Sequence, residues 1–221
     1  MEKPYHTDQV FDKIDTLALG EYEGCTFRNC QFESADFKNF QFVDCRFEDC
    51  NLSLVKLSAA SFQKVYFQSC KMQGLRFEAC NPFLFEVHFK NCVLNLSSFY
   101  QVNGKGTSFE SCNLHEVDFT EANFSEAHFE ECDLAGALFD RTNLEKADFR
   151  NAFNLGLLLL TCPEADKIQE GERVALHFEG DTPQVLRANG DRLACAPVPG
   201  FLMDMVDAGG LLPLLKNRKQ G

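Results

Sequence analysis

Large apolar side chains recur at every fifth position along most of the chain, beginning with Tyr22. This period matches neither the 3.6-residue period of an α-helix nor the two-residue period of a β-strand, and a fixed period sustained over many units is typical of a solenoid. The register runs to Phe149 with two irregularities. It shifts by two residues within CNPFLFE (80–86) and resumes at Leu84. Gly104 then replaces one large side chain, which we expect to weaken the core locally.

A smaller inward side chain precedes most of the large ones by two positions. Residues two apart on an extended backbone point the same way, so each unit sends one small and one large side chain inward and turns a corner with its last two residues. At 20-residue intervals, with the two-residue shift taken as a bulge, like residues align in columns, which predicts a coil with four faces. The predicted core columns are Phe27, Phe47, Phe67, Phe89, Phe109, Phe129 and Phe149, and Cys30, Cys50, Cys70, Cys92, Cys112 and Cys132.

The N-terminal residues 1–20 lack the five-residue period. Their apolar residues Val10, Phe11, Ile14 and Leu17 have helical spacing, which predicts a short helix. Because the open end of a solenoid exposes core and strand edges, we expect this helix to cap the first coil.

The period also stops after Phe149. Beyond it we predict a pair of hairpin strands in RVALHFEG and QVLRANGDRL and a buried strand in LGLLLL. We also predict one or two short helices in PGFLMDMVDAGGLLPLLKNR. The predicted domain organisation has three parts. These are an N-terminal cap (1–20), a β-solenoid (21–153) and a C-terminal α/β segment that caps the coil or folds independently (154–221).

The eleven cysteines are explained by the repeat rather than by disulfides. Nine occupy the small inward position, where a thiol behaves as a small hydrophobe, so neither a disulfide nor a metal site is predicted although C-x4-C recurs. The start, MEKPYHTDQVF, lacks the apolar run of a signal peptide, and no stretch reaches the roughly 18 apolar residues of a membrane span. We therefore expect a cytoplasmic protein with reduced thiols. Cys162 and Cys195 lie outside the pattern.

The formal net charge of −12 argues against direct binding of nucleic acid and favours a basic partner. Between residues 106 and 140, acidic residues occur without an intervening Lys or Arg. They form either a solvated surface that keeps the solenoid soluble or a binding face. The candidate partner-binding residues are Glu110, Glu116, Asp118, Glu121, Glu126, Glu130, Glu131 and Asp133. No nucleophile with a base and no phosphate-binding loop is present, so no catalytic residue, enzymatic activity or cofactor is predicted.

Units such as ADFKN, CDLAG, TNLEK and ADFRN resemble the A-(D/N)-(L/F)-x-x unit of the pentapeptide repeat family. The resemblance implies an all-β, right-handed quadrilateral β-helix. CNPFLFE and LNLSSF are similar to features of bacterial quinolone-resistance pentapeptide proteins. Those proteins are dimeric rods with an acidic, DNA-like surface that bind type II topoisomerases, so the resemblance implies DNA gyrase or topoisomerase IV as partner. It also implies a homodimer, which an altered C-terminus would affect.

The C-terminal segment resembles a second family. FRNAFNLGLLLLTCPEADKIQEGERVALHFEG and FLMDMVDAGGLLPLLK are similar to the C-terminal part of the isopropylmalate dehydratase small subunit, over about 149–218. The Gly-Ser-Ser-Arg-Glu-His string of that family does not occur in the sequence, so no catalytic residue is transferred.

Three functions follow as hypotheses. The first is a non-enzymatic DNA mimic that binds a type II topoisomerase and modulates its activity or quinolone sensitivity. The second is a structural or interaction scaffold, and the third is association with a dehydratase large subunit through the C-terminal segment.

Overall fold

The computed structural model describes residues 4–150, 160, 162–169, 172–179, 182–198, 200 and 203. The chain divides into two compact units, Met1–Asn151 and Ala152–Gly221. The strands of the first unit are β1 (Tyr5–Thr7), β2 (Val10–Asp12), β3 (Glu21–Glu23), β4 (Thr26–Arg28), β5 (Gln41–Val43), β6 (Arg46–Glu48), β7 (Ser61–Gln63), β8 (Val65–Gln68), β9 (Val87–Lys90), β10 (Ser108–Glu110), β11 (His128–Glu130) and β12 (Asp148–Arg150). A 3-10 turn, Phe77–Ala79, lies between β8 and β9.

The first unit is a four-sided β-helix, as the sequence predicted. One side, face A, is a parallel sheet in the order β12-β11-β10-β9-β8-β6-β4-β2, in which Phe47 pairs with Phe27 and Phe67. Faces B and C follow in that order along each coil. Within each of them, successive coils are paired by isolated β-bridges, such as Asn51↔Lys71 in face B and Arg76↔Ser98 in face C. Face D closes each coil and contains the parallel sheet β1-β3-β5-β7.

Stacked side chains fill the interior of the β-helix. Along face A, the rings from Phe27 to Phe149 stack on one another, with centroids 4.5 Å apart for the pair Phe27 and Phe47 and 5.4 Å apart for Phe67 and Phe89. Offset stacking at the spacing between strands suits the ring quadrupoles. The six cysteines of the predicted column are all buried. Their thiols lie against carbonyl groups of their own and the preceding coil, as Cys70 Sγ does 3.4 Å from the Phe47 oxygen.

The prediction of an N-terminal helix is wrong. Residues 4–20 contain β1 and β2 and no helix, and they pair in parallel with β3 and β4. His6 lies opposite Tyr22 and Phe11 opposite Phe27, so both continue the inward columns five residues apart. Pairing with the next coil gives the backbone hydrogen bonds that a helix would have left unmade at this sheet edge.

Both irregularities of the repeat differ from the expectation. Leu84 does not resume the inward register, because it is exposed and has a φ of 53°. At Gly104, a Cβ atom would lie 2.5 Å from Cε1 of Phe124, since that fully buried ring occupies the space of the missing side chain. The core is therefore filled at Gly104 rather than weakened by a gap.

The second unit contains a three-stranded antiparallel sheet of β13 (Val174–Glu179), β14 (Thr182–Arg187) and β15 (Arg192–Ala194), in the segments predicted to form hairpin strands. A 3-10 turn, Ala165–Lys167, precedes the sheet. Gly200 and Met203 have helical backbone. The other residues of the predicted C-terminal helices and most of LGLLLL lie outside the described residues.

Candidate protein-docking surface

The corners of the β-helix carry residues with positive φ. Such a residue stands two positions after nearly every inward large side chain, as Asn29 (53°) and Asp49 (55°) do. This left-handed conformation brings Cβ close to the following carbonyl oxygen, so glycine, asparagine and aspartate are the residues that adopt it most readily. Most corners of this chain carry such residues or other polar side chains.

Three corners instead carry leucine. Leu54, Leu84 and Leu96 have φ values of 59°, 53° and 62°, and 57%, 62% and 61% of their surfaces are exposed. The β-helix requires positive φ at its corners, but it does not require an exposed leucine there. A residue that suits neither this backbone conformation nor solvent is a reason to look for a function.

Two of the leucines line one corner of the β-helix. Leu54 and Leu96 both lie where face B meets face C, two coils apart, or roughly 10 Å at the strand spacing. Gly74 occupies the same corner between them. A Cβ atom on Gly74 would lie 2.9 Å from Cδ2 of Leu54, so the leucine side chain lies directly over this glycine.

The third leucine, Leu84, lies at residues 81–86, where the five-residue repeat is interrupted. The segment is fixed at both ends, since the Asn81 N–H donates to the Ala60 carbonyl (2.8 Å) and the Glu86 N–H donates to the Phe62 carbonyl (3.0 Å). Between these anchors Leu84 and the neighbouring Phe83, whose exposed fraction is 66%, lie in solvent.

A cleft of about 480 Å³ adjoins the interruption. Its buried lining includes Phe77, Cys80 and Val102, and Tyr100 lies at its more exposed side. Burial raises the pKa of the Cys80 thiol, so the thiol is neutral and contributes an apolar wall. The cleft contains residues of face C, which lies between the Leu54–Leu96 corner and the interruption. We call Leu54, Leu96, Phe83, Leu84 and this cleft the docking surface.

The predicted acidic residues surround the β-helix instead of sharing one face. Glu110 and Glu130 lie on face A, Asp133 on face B and Asp118 on face C. The other four occupy corners: Glu131 between faces A and B, Glu116 between B and C, Glu121 between C and D, and Glu126 between D and A. The reason is geometric, because one coil takes about 20 residues and the acidic run is longer than one coil.

Basic residues of neighbouring coils pair with half of these acids. Lys90 lies 2.5 Å from Glu110, Lys105 3.3 Å from Glu126, Arg141 2.6 Å from Glu121 and Arg150 3.9 Å from Glu130. A hydrogen bond from Gln101, with smaller contributions from Arg141 and Tyr100, holds the pKa of Glu121 below its usual value. Two more carboxylates accept backbone N–H groups: Asp118 from Thr120 and Asp133 from Ala135.

The remaining two acids have weaker partners. Glu131 accepts a hydrogen bond from the Ser111 hydroxyl at 3.3 Å, and Glu116 lies 3.5 Å from His115 Nδ1. An acidic run that looks uninterrupted in sequence is therefore partly neutralised once the coils are stacked.

The buried thiols do not form a metal-binding centre in the part of the chain that the structure describes. Burial raises the pKa of Cys30 to about 11 and that of Cys45 to about 12, so both remain protonated near neutral pH. Among the described residues, no group of three or more His, Cys, Asp or Glu side chains is arranged to hold a metal ion. No helix within the described ranges is long and apolar enough to cross a bilayer.

The docking surface was missed from the sequence, although a signal for it is present. Leu54 and Leu96 stand two residues after an inward large side chain, at a position where most other units have a polar or charged residue or glycine. A bulky apolar residue at an outward corner of a strict repeat is the departure that marks them.

Part of the sequence is similar to a metabolic enzyme subunit. The 3-isopropylmalate dehydratase small subunit of Oleidesulfovibrio alaskensis is 35% identical over 71 residues, which are 32% of this chain and 42% of that subunit. The small subunit of Methanosarcina mazei is 38% identical over 64 residues, 29% of this chain and 39% of that subunit. The chain thus spans less than half the length of these curated relatives.

One solved structure is similar in fold to about two thirds of this chain. Trypsin-treated QnrB1, a plasmid-mediated fluoroquinolone resistance protein, superposes with a TM-score of 0.55 over 67% of this chain and 75% of that chain. The identity is 16%, so this likeness concerns the fold alone.

The family model of the pentapeptide repeat region matches residues 21–83 and 82–153. These ranges cover the coils whose inward columns are described above, and they make up more than half of the chain. The chain belongs to the pentapeptide repeat family.

Proposed function

We propose that this chain is a non-catalytic binding protein and that the docking surface contacts its partner. The observation that carries the proposal is the set of exposed leucines at positive-φ positions, one of them beside the exposed Phe83, together with a partly apolar cleft at the interruption of the repeat. Exposed apolar side chains grouped around one region typically mark an interaction site.

Burial of these side chains would supply the binding free energy. Fully burying a leucine or phenylalanine side chain contributes about 1.5–3 kcal/mol, and a few such anchors dominate most interfaces. Because the β-helix holds Leu54 and Leu96 on a hydrogen-bonded frame, little conformational entropy is lost on binding beyond that of the side chains themselves.

The partner that we propose is a type II topoisomerase, DNA gyrase or topoisomerase IV. Support comes from the pentapeptide repeat fold and from its likeness to a fluoroquinolone resistance protein. The contact would be mainly apolar, since half of the candidate acids already pair with Lys or Arg.

The test uses substitutions that suit the corner backbone. Leu54→Asn and Leu96→Asn replace leucine with a residue that adopts positive φ readily, so the double variant should remain folded and lose binding to purified gyrase. The matched control is Ser34→Asn, at the same corner in an earlier coil, which should bind normally. Unchanged binding and unchanged protection of gyrase from a quinolone in the double variant would refute the docking surface.

DNA mimicry is the second candidate, favoured by the acidic residues that surround the later coils. Charge reversal at Glu126, Glu130 and Asp133 distinguishes the two mechanisms. It should abolish binding that depends on imitation of DNA phosphates but leave an apolar contact through Leu54 and Leu96 largely intact.

A separate role for the C-terminal segment is favoured by the similarity of 71 residues to a dehydratase small subunit. We propose that this segment associates with a dehydratase large subunit. Co-purification of the full chain with that subunit would support the association, and absence of a complex at micromolar concentrations would refute it.

A further inference from the structure

The two cysteines outside the repeat lie side by side in the second unit. Cys195 is buried in a small apolar cluster with Val185 and Leu193, and Cys162 packs against the same cluster while remaining partly exposed. Cys162 Sγ lies 3.9 Å from the carbonyl oxygen of Ala194, the residue before Cys195. Two cysteines that are more than thirty residues apart in sequence therefore pack against the same apolar cluster.

The local structure holds one thiol more firmly than the other. Cys195 follows β15 and donates its N–H to the Pro183 carbonyl of β14 at 2.9 Å. Cys162 lies before the short 3-10 turn, and its carbonyl accepts a hydrogen bond from the Ala165 N–H at 3.1 Å. Disulfide formation requires the Cys162 sulfur to turn from the Ala194 carbonyl toward the adjacent Cys195 sulfur.

The two thiols also differ in access. Burial, together with the adjacent Cys162 thiol, raises the pKa of Cys195 and keeps it protonated. Cys162 meets solvent, so a dissolved oxidant reaches it first. An accessible thiol next to a shielded one is the arrangement in which an oxidised sulfur is trapped as a disulfide.

We propose that Cys162 and Cys195 form an oxidant-responsive dithiol whose co-reactant is a hydroperoxide. Cys162 thiol loses its proton to solvent and the thiolate attacks one oxygen of hydrogen peroxide; the O–O bond breaks, the departing hydroxide takes up a proton from solvent, and Cys162 sulfenic acid and one water form. Cys195 sulfur then attacks the sulfenic sulfur, and the S–O bond breaks with loss of a second water. The peroxide is reduced by two electrons, and the two thiols are oxidised to one disulfide.

The disulfide joins the turn segment to the β13–β15 sheet and closes a long loop in the second unit. Such a cross-link restricts the unfolded chain and stabilises the folded one. The rod cysteines should not respond, because Cys30, Cys50, Cys70 and their equivalents lie in a closed interior of stacked side chains. They provide an internal control within the same molecule.

The experiment treats the full chain with hydrogen peroxide in slight excess, blocks free thiols after unfolding, and maps the peptides by mass spectrometry without reduction. We expect two fewer titratable thiols per chain and a peptide pair joined through Cys162 and Cys195. Cys195→Ser should instead leave Cys162 as sulfenic acid that dimedone traps, and Cys162→Ser should prevent oxidation of Cys195.

Three results would overturn the proposal. One is oxidation of Cys162 to sulfinic acid in the wild-type chain without the disulfide, and another is no loss of thiols at all. The third is oxidation of rod cysteines at the same rate as Cys162. Circular dichroism of each variant checks that the fold is retained, and diamide, which oxidises thiols without a sulfenic intermediate, gives a second route to the same disulfide.

Discussion

Gly104→Ala tests the packing of the inward columns at the position where the repeat lacks a large side chain. The new methyl carbon would lie 2.5 Å from Cε1 and 2.6 Å from Cζ of Phe124. That ring is fully buried and stands edge-on to Phe99 at 5.6 Å and to Phe119 at 5.0 Å, so it has no free space to move into. The substitution therefore adds volume where the core is already full.

Two effects of opposite sign decide the result. Overpacking a core costs about 1–3 kcal/mol, whereas replacing glycine by alanine stabilises by about 0.4–1 kcal/mol through the unfolded chain. Because the 2.5 Å approach places the overpacking cost in the upper half of its range, at about 2–3 kcal/mol, the net destabilisation should be about 1–2.5 kcal/mol, which corresponds to a Tm lower by roughly 2–10 °C for a chain of this size. Urea unfolding followed by circular dichroism gives the free energy directly.

A double-mutant cycle separates packing from other causes. Phe124→Leu removes the ring atoms that would meet the new methyl group, so Gly104→Ala should cost less in the Phe124→Leu background than in the wild type. The coupling free energy should be about 0.5–2 kcal/mol, as for other residues in contact. An unchanged or raised stability of Gly104→Ala, or strict additivity in the cycle, would refute the assignment of Phe124 to the space beside Gly104.

Three further predictions concern the core and the corners. Phe109→Asp buries a carboxylate without a partner and should destabilise by more than about 4 kcal/mol, so a variant with wild-type circular dichroism and urea midpoint would be inconsistent with the columns. Because the folded pKa values of Cys30 and Cys45 (about 11 and 12) lie above the usual 9.0, the contribution of these two thiols to stability should be constant below about pH 8 and be lost between about pH 9 and 12. Urea midpoints measured against pH report this loss, which should be smaller in Cys45→Ala than in the wild type. An equal loss in the variant and the wild type would contradict the assignment. Leu54→Asn and Leu96→Asn relieve strain and should each leave the unfolding free energy unchanged or raise it by up to about 1 kcal/mol, and a clear loss in urea unfolding would show that the leucines stabilise the fold.

The columns were predictable because the repeat is strict. Each inward residue, such as Phe27 or Cys30, is specified by its own unit and by the units 20 residues away, so a single period sets both the corner and the stacking partner. The N-terminal coil was missed because His6 and Phe11 stand 16 residues, not 20, before Tyr22 and Phe27. A fixed 20-residue interval does not find them.

The candidate docking surface could not be predicted from the five-residue period, because it depends on local backbone geometry and on contacts between coils. The exposure of Leu84 follows from how residues 81–86 leave the coil, and the filling of Gly104 follows from the orientation of Phe124. The pairing of Glu121 with Arg141 required the stacked register. Charge along the sequence was therefore a poor guide to charge on the surface, whereas the corner leucines could have been found by comparing units.

The central claim is that an apolar surface, rather than an acidic one, binds the partner. The most direct measurement is the affinity of purified gyrase for the chain at ionic strengths from about 0.1 to 1 M, over which the Debye length falls from roughly 10 to 3 Å. We predict an affinity that changes little with salt and that falls at least about tenfold, or about 1.4 kcal/mol, in the Leu54→Asn and Leu96→Asn double variant. Steep loss of affinity with salt, together with wild-type binding by the double variant, would contradict the account.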